Sequence, residues 1–432
     1  MAAQSSLVLL GVFLVLAALG VPLGICIVAA ALAAVTMVVP FDMGLFTAAQ
    51  KMMASLDSFS LLAVPFFILS GVMMNSGGIA LRLVNFAKLI VGRVPGSLTQ
   101  TNIAGNMLFG CISGSAIAAS TSVGGVMIPL QAKEGYDRAF AAAANIASAP
   151  TGMLIPPSTA FIIYALVSGG TSVGALFLGG AVAGTLWGLG MMVLTYFIAR
   201  RRGYAVSDRL DGPTALKTTL EALPSLLLIV IIIGGIVMGI FTAVEASAIA
   251  VIYTMLLAFV IHRTMPLRSF PSFLIETVEM TGAIMLLLSA SAALSFAMAF
   301  TGIPAAVTNL ILGISSDPVI VLLIINLVLL VVGCFMDIGP AILIFTPILL
   351  PIAVKVGMDP VHFGVVLVFN LAIGTITPPV GTGLFVGANV GKVKVERAIH
   401  ALLPFYVLLF TVLLLVTYIP ALTLFLPRLF GM

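Results

Sequence analysis

Three clusters of oxygen-bearing residues stand in the middle of apolar stretches, where an uncommitted membrane chain has little reason to place them. Ser113, Gly114 and Ser115 offer two hydroxyls and backbone carbonyls at a break between two apolar runs. The segment ASAPTGM at 147–153 and IPPST at 155–159 supplies Thr151, Pro157, Ser158 and Thr159, and its paired prolines remove amide donors and interrupt a helix. In the second half Asp337 lies at a similar break, and TITPPVGTG at 375–383 supplies Thr375, Thr377, Thr382 and glycines opposite it. Hydroxyls, carbonyls and a carboxylate are the ligands of a hard cation. An acid at membrane depth is costly unless it is paired, so Asp337 is a functional candidate, with a role as a helix N-cap as the plain alternative. The plain alternative for Ser113 to Ser115 is close helix packing through small residues. Asn102, Asn106, Asn145, Asn326 and Asn370 either line a polar path or bridge helices. Glu245, just inside a helix end, is either an N-terminal cap or a docking contact. No midplane lysine or arginine faces these clusters, so half-helix N-termini would have to receive a carboxylate.

These residues need elements that hold them at depth. Of 432 residues, 62% are hydrophobic and 7% charged, so lipid is the main solvent and the chain is an all-α polytopic membrane protein. No strand-like alternation supports a β-barrel. Crossings are expected near 6–22, 24–40, 61–75, 138–168, 172–198, 221–240, 242–262, 272–300, 360–390 and 400–427. The stretch from Leu7 to Gly20 lacks a basic start and reads as a retained helix. The regions 97–130 and 318–351 are interrupted at their centres and read as re-entrant helical hairpins, which are tolerated only where protein or a water cavity covers the turn. Sliding the sequence by 222 residues lays Pro129 on Pro351, Lys133 on Lys355, Gly135 on Gly357, and Pro156 and Pro157 on Pro378 and Pro379. Two repeats follow. The expected organisation is N-terminal scaffold helices over 1–60 and a first repeat over 61–200, with an arm at 82–93, hairpin at 97–130 and broken helix at 138–168. A linker and scaffold helices over 201–271 then lead to a second repeat over 272–432, with an arm at 304–315, hairpin at 318–351 and broken helix at 360–390.

Positive charge orients the chain. With both termini periplasmic, Arg82, Lys88, Arg93, Lys133, Arg138, Arg200, Arg201, Arg202, Arg209, Lys217, Arg263, Arg268, Lys392, Lys394 and Arg397 fall in the cytoplasm, leaving Lys51, Lys355 and Arg428 outside. The hairpins then enter from opposite sides and the repeats are inverted, the signature of a secondary transporter with a midplane site. Cys26, Cys111 and Cys334 show no metal or disulfide spacing and are expected as free thiols, while His262, His362 and His400 are scattered at helix ends and suggest no metal cluster.

The stretches GCISGSAIAASTSVGGVMIP, IPPS, FMDIGPAILIFTPILLPI and TPPVGTGLFV resemble the large, DctM-like membrane subunit of tripartite ATP-independent periplasmic (TRAP) transporters over nearly the whole chain. The resemblance implies an elevator mechanism coupled to Na+, with more than one coupling ion. It implies as partners a small four-helix membrane subunit and a periplasmic binding protein that delivers an organic acid across the bacterial inner membrane; with no obvious extra small-subunit segment at the N-terminus, the small subunit is expected as a separate partner. Carried onto this sequence, the cation sites would be Ser113, Gly114 and Ser115 with Pro157 and Ser158, and Gly333 and Asp337 with Thr377, Pro378, Val380 and Thr382. Substrate would meet Ser115, Thr151, Thr159 and Thr382. The chain departs from the family pattern in having Ala118, Ala119 and Ser120 where many members carry an aspartate.

A stand-alone cation-coupled carboxylate symporter of the same superfamily shares this architecture, and dependence of uptake on a periplasmic protein separates the two. A channel would need a continuous polar pore or rings of charge, whereas the polar residues gather at two breaks. An intramembrane enzyme would need a nucleophile with a base or a metal set, and neither a midplane Ser/His pairing nor HExxH is present in the sequence.

Overall fold

A computed structural model describes residues 2–76, 79–204, 206, 212–263 and 265–432. Arg209, counted above among the orienting charges, lies outside the described residues. The described chain is helical throughout, and seven of its helices are long and apolar enough to cross a membrane, or up to nine if each of two bent helix pairs is one span. It is a multi-pass membrane protein.

The first half runs α1 (Ala2–Ala18), α2 (Leu23–Val35), α3 (Phe41–Leu56), α4 (Ala63–Ser76), α5 (Ile79–Val91), α6 (Ser97–Ser113), α7 (Ala116–Lys133), α8 (Arg138–Ser148), α9 (Thr151–Leu154), α10 (Thr159–Val167) and α11 (Val173–Arg202). The second half runs α12 (Gly212–Val237), α13 (Ala243–Met255, continued by a π-helical turn Leu256–Ile261), α14 (Phe270–Thr301), α15 (Ile303–Ile314), α16 (Pro318–Phe335), α17 (Ile338–Lys355), α18 (Pro360–Gly374), α19 (Thr382–Gly391), α20 (Val395–Tyr418) and α21 (Ala421–Leu429). An offset of 222 carries α7 onto α17 end for end. It carries α5 near α15, α6 onto α16 and α8 onto the start of α18, and it also lays α1 over α12 and α2 over α13.

The local chemistry at the repeat junctions is duplicated too. Gly135 and Gly357 end α7 and α17 at φ of 82° and 89°, a left-handed backbone that suits glycine. Two residues later Asp137 and Asp359 cap the next helix. Asp137 accepts from the Ala139 and Phe140 amides, and Asp359 from those of Val361 and His362. Both proline pairs, Pro156–Pro157 and Pro378–Pro379, contain a cis peptide bond.

Two differences from the expected crossings have local causes. Asp42, Gln50 and Lys51 interrupt the apolar run after 40, yet Phe41–Leu56 is a helix, bent by 61° from the helix that follows it. The run at 400–427 is two helices, because the chain turns at Ile419 and Pro420, and the first of them starts earlier, at Val395.

Packing interleaves the repeats. The first arm of each hairpin lies on its own repeat's broken helix, α6 on α8 and α9, and α16 on α18. The second arm lies on the other repeat's terminal half-helix, α7 on α19 and α17 on α10. The same exchange relates α8 against α20 to α18 against α11, and α4 against α13 to α14 against α2. The single tryptophan, Trp187 on α11, sits fully buried in this weave, with its indole N–H donating to the Ala147 carbonyl at 2.8 Å and its ring 4.7 Å from that of Phe369. Trp187→Phe strands that carbonyl, and is expected to cost about 1–3 kcal/mol. A lowered thermal midpoint, followed by helical circular dichroism in detergent, checks this; an unchanged midpoint would show that the hydrogen bond contributes nothing.

Candidate functional site

At the first tip α6 ends on Gly114, whose left-handed backbone (φ 62°) lets its amide return to the Gly110 carbonyl at 2.7 Å. Ser115 then caps α7 by accepting from the Ala118 amide at 3.3 Å. The break in the first repeat stands directly against this tip. A Cβ placed on Gly114 would lie 3.7 Å from the Pro157 carbonyl oxygen and 3.9 Å from the Thr159 amide nitrogen. Ser113, Gly114, Ser115, Pro157 and Thr159 are therefore brought together, with Ser158 buried beside them. The Ser158 hydroxyl donates to the Met153 carbonyl, and a hydroxyl that spends its proton this way keeps lone pairs for a cation. Thr151 lies deeper, fully buried and donating to the Ser148 carbonyl at 2.7 Å. Its neighbour Gly152 touches Gly110, one turn before the tip.

At the second tip Asp337 takes the position equivalent to Ser115, the N-cap of α17, but its side chain makes no capping hydrogen bond and is exposed. The break opposite is tied to the hairpin by the Gly381 amide, which donates to the Cys334 carbonyl at 3.1 Å. Val380 and Thr382 flank Gly381 and are exposed, while Thr377 and Pro378 are half-buried. Thr377 donates its hydroxyl proton to Ile373 at 2.7 Å, again leaving oxygen lone pairs. Gly333 packs against Gly374 and Leu371. The residues of each cluster thus lie on two elements that meet, a hairpin tip and a helix break.

These oxygen sets are of the kind that a hard cation takes. They combine carbonyls at helix ends, hydroxyls with unused lone pairs and, at the second tip, one carboxylate. Both terminal half-helices begin without a side-chain cap, at Ser158 for α10 and Gly381 for α19, although the Thr375 carbonyl already takes the Gly383 amide. Their positive dipole ends are suited to a carboxylate.

The family model described as the tripartite ATP-independent periplasmic transporter, DctM component, matches residues 10–422. The chain belongs to this family. It is 50% identical to the uncharacterized protein YgiK of Salmonella typhimurium over 98% of either chain. It is 41% identical to the sialic acid TRAP transporter large permease protein SiaM of Vibrio cholerae, over 95% of this chain and 96% of that one. Among solved structures, the Alcanivorax borkumensis YdaH transporter, of unusual topology, superposes with a TM-score of 0.62 at 13% identity, covering 87% of this chain and 88% of its own, a likeness of fold. This DctM-family chain is accordingly a transporter permease.

Several residues that build the site escaped sequence reasoning. Tyr406 on α20 is buried and donates its hydroxyl to the Ile376 carbonyl, inside the second break. Gly71 on α4 backs the first tip, where a Cβ would lie 2.9 Å from the Ser113 carbonyl oxygen. A lone tyrosine in an apolar helix gives no signal of its partner; Gly152 and Gly374, 222 residues apart, carry a signal that the repeat offset could have found. Four of the asparagines, Asn106, Asn145, Asn326 and Asn370, bridge helices, whereas Asn102 accepts from Asn106 of its own helix. Asn106 donates to Asn102, Asn145 and Ser148, and Asn370 joins Asn326, which donates to Thr417. Glu245 forms a capping box with Thr242.

Tyr406→Phe leaves the Ile376 carbonyl without this donor and loosens the second break. The apparent affinity for any cation held at this break is expected to fall by roughly 5- to 30-fold, the equivalent of about 1–2 kcal/mol. Initial uptake rates against sodium concentration check it, and an unshifted half-saturation would separate Tyr406 from the site.

Proposed function

We propose that this chain is the translocating subunit of a sodium-coupled symporter that carries an organic acid across the bacterial inner membrane. The observation that carries the reading is the duplicated meeting of a hairpin tip with a helix break, at Gly114 with Pro157 and at Cys334 with Gly381. Sodium binds the oxygens of the two tips, through Ser113, Gly114, Ser115, Pro157 and Ser158 at one and Gly333, Asp337, Thr377, Pro378, Val380 and Thr382 at the other. The bound cations add positive charge beside the N-termini of α10 and α19, so that a substrate carboxylate is held without a buried lysine or arginine. Ser115, Thr151, Thr159 and Thr382 supply hydroxyls to it. Membership of the DctM family and the sialic acid for which the SiaM relative is named support an acidic substrate.

In this reading hairpins and broken helices move as an elevator against the remaining helices. A periplasmic binding protein delivers the acid, and a small four-helix membrane subunit completes the scaffold. Both termini lie in the periplasm. Reconstitution in liposomes with the candidate small subunit and binding protein, under an inward sodium gradient, tests the whole scheme. Labelled organic-acid uptake that requires both sodium and the binding protein is expected. Uptake that persists without the binding protein would replace this scheme with the stand-alone symporter, and ohmic current would replace it with a channel.

A further inference from the structure

A cavity of about 620 Å³ opens away from both tips, between α5, α12 and the end of the π-helical turn after α13. Arg82, Lys217 and His262 line it together with Glu221, and Leu216, Leu220 and Ile261 continue it along the helix surfaces. The Arg82 Nη1 atom and the His262 Nε2 atom are buried without a hydrogen-bond partner among the described residues. Glu221 lines the same cavity but makes no contact ion pair with the arginine, the one such pair among the described residues being Arg202 with Asp137, so the lining carries two fixed cations against one carboxylate. A buried guanidinium nitrogen left without an acceptor costs free energy, and an anion bound there would recover it.

The fold itself does not demand these charges. The offset that relates the repeats places Pro304 at the position of Arg82 and Pro40 at that of His262. The basic pair therefore belongs to one end of the molecule alone. Lys217 lies near the start of α12 and His262 just past the last turn after α13, so both stand at one end of the α12–α13 pair, where helices long enough to span a bilayer reach its headgroups. Leu216 and Leu220 are 62% and 57% exposed and Ile261 49%, which gives an amphiphile's chain an apolar track leading from the charged head of the cavity.

We propose that this cavity binds the phosphate headgroup of an anionic phospholipid. Arg82 and Lys217 meet the phosphate oxygens, His262 donates or accepts a further hydrogen bond, and an acyl chain runs along Leu216, Leu220 and Ile261. A basic pocket between transmembrane helices is suited to such a headgroup, and guanidinium geometry matches two phosphate oxygens at once. Free inorganic phosphate shares the headgroup chemistry but gains nothing from the apolar track.

The test uses the full-length chain, delipidated in detergent and titrated with phosphatidylglycerol, phosphatidylcholine or inorganic phosphate, with bound mass read by native mass spectrometry. Phosphatidylglycerol is expected to bind at least about tenfold more tightly than phosphatidylcholine, and Arg82→Gln with Lys217→Gln to remove that preference. Lys51→Gln, a charge change elsewhere, is expected to keep it. Arg82→Lys, which keeps the charge but not the two-pronged contact, is expected to fall between, and it decides the matter should the double variant lose its helical circular dichroism. Equal binding of the two lipids, or undiminished preference in Arg82→Lys and the folded double variant, overturns the proposal. So does displacement of the bound lipid by millimolar inorganic phosphate, which would assign the cavity to a free anion.

Discussion

Asp337→Asn is expected to weaken the activation of uptake by sodium by roughly 10- to 100-fold, with the protein still folded. The position of the side chain is decisive. Asp337 starts α17 as its N-cap residue, yet makes no capping hydrogen bond, whereas Ser115 at the equivalent place in the first repeat does. Its carboxylate is also the single acidic side chain among the proposed cation ligands. The asparagine variant discriminates sharply, because asparagine caps a helix as well as aspartate does. Were Asp337 a structural cap, Asp337→Asn would transport normally, and only Asp337→Ala would lose about 1 kcal/mol of stability. Sodium titration of uptake in the two variants separates these outcomes, and a wild-type response in the asparagine variant would move the coupling site away from the second tip.

A larger and less forgiving effect is expected at the glycines where hairpin meets broken helix. A Cβ on Gly374 would fall on the backbone of Gly333, and one on Gly152 on the backbone of Gly110. Side chains can turn aside from an added methyl group, but backbone cannot without moving its helix. Gly374→Ala and Gly152→Ala should therefore part each hairpin from its break, with about 1–3 kcal/mol or more of overpacking and uptake reduced to background. Gly125→Ala on α7, where nothing lies within 4 Å, serves as the control and should transport as the parent does. Normal uptake by Gly374→Ala, with its thermal midpoint unchanged, would show that the close approach is dispensable.

Much of this architecture was legible because repeats write themselves twice. Pro156, Pro157 and Gly135 each have a partner 222 residues on, and the tips at Ser115 and Asp337 coincide at the same offset. Helix breaks were legible because proline and glycine act locally. Contacts across the chain were not, because periodicity reports which face of a helix is apolar and says nothing of its neighbour. Nothing in the sequence of α7 names α19 as its partner, and nothing around Tyr406 names Ile376. Phe41–Leu56 was missed for a related reason. Its Asp42, Gln50 and Lys51 break the apolar run without breaking the helix, so apolar length alone does not reveal it.

The interleaving of the repeats bears on how the protein is made. The second arm of the first hairpin, α7, rests on α19, which follows it by roughly 250 residues, an interval of on the order of tens of seconds at ordinary rates of synthesis. Until α19 leaves the ribosome, the polar turn at Ser113 to Ser115 has only its own repeat for cover, in an environment that penalises open backbone. The second hairpin has no such wait, because its partner α10 is already in place. Biogenesis is thus asymmetric even though the finished packing is nearly symmetric, and a chain halted before residue 382 is expected to be a substrate for membrane quality control.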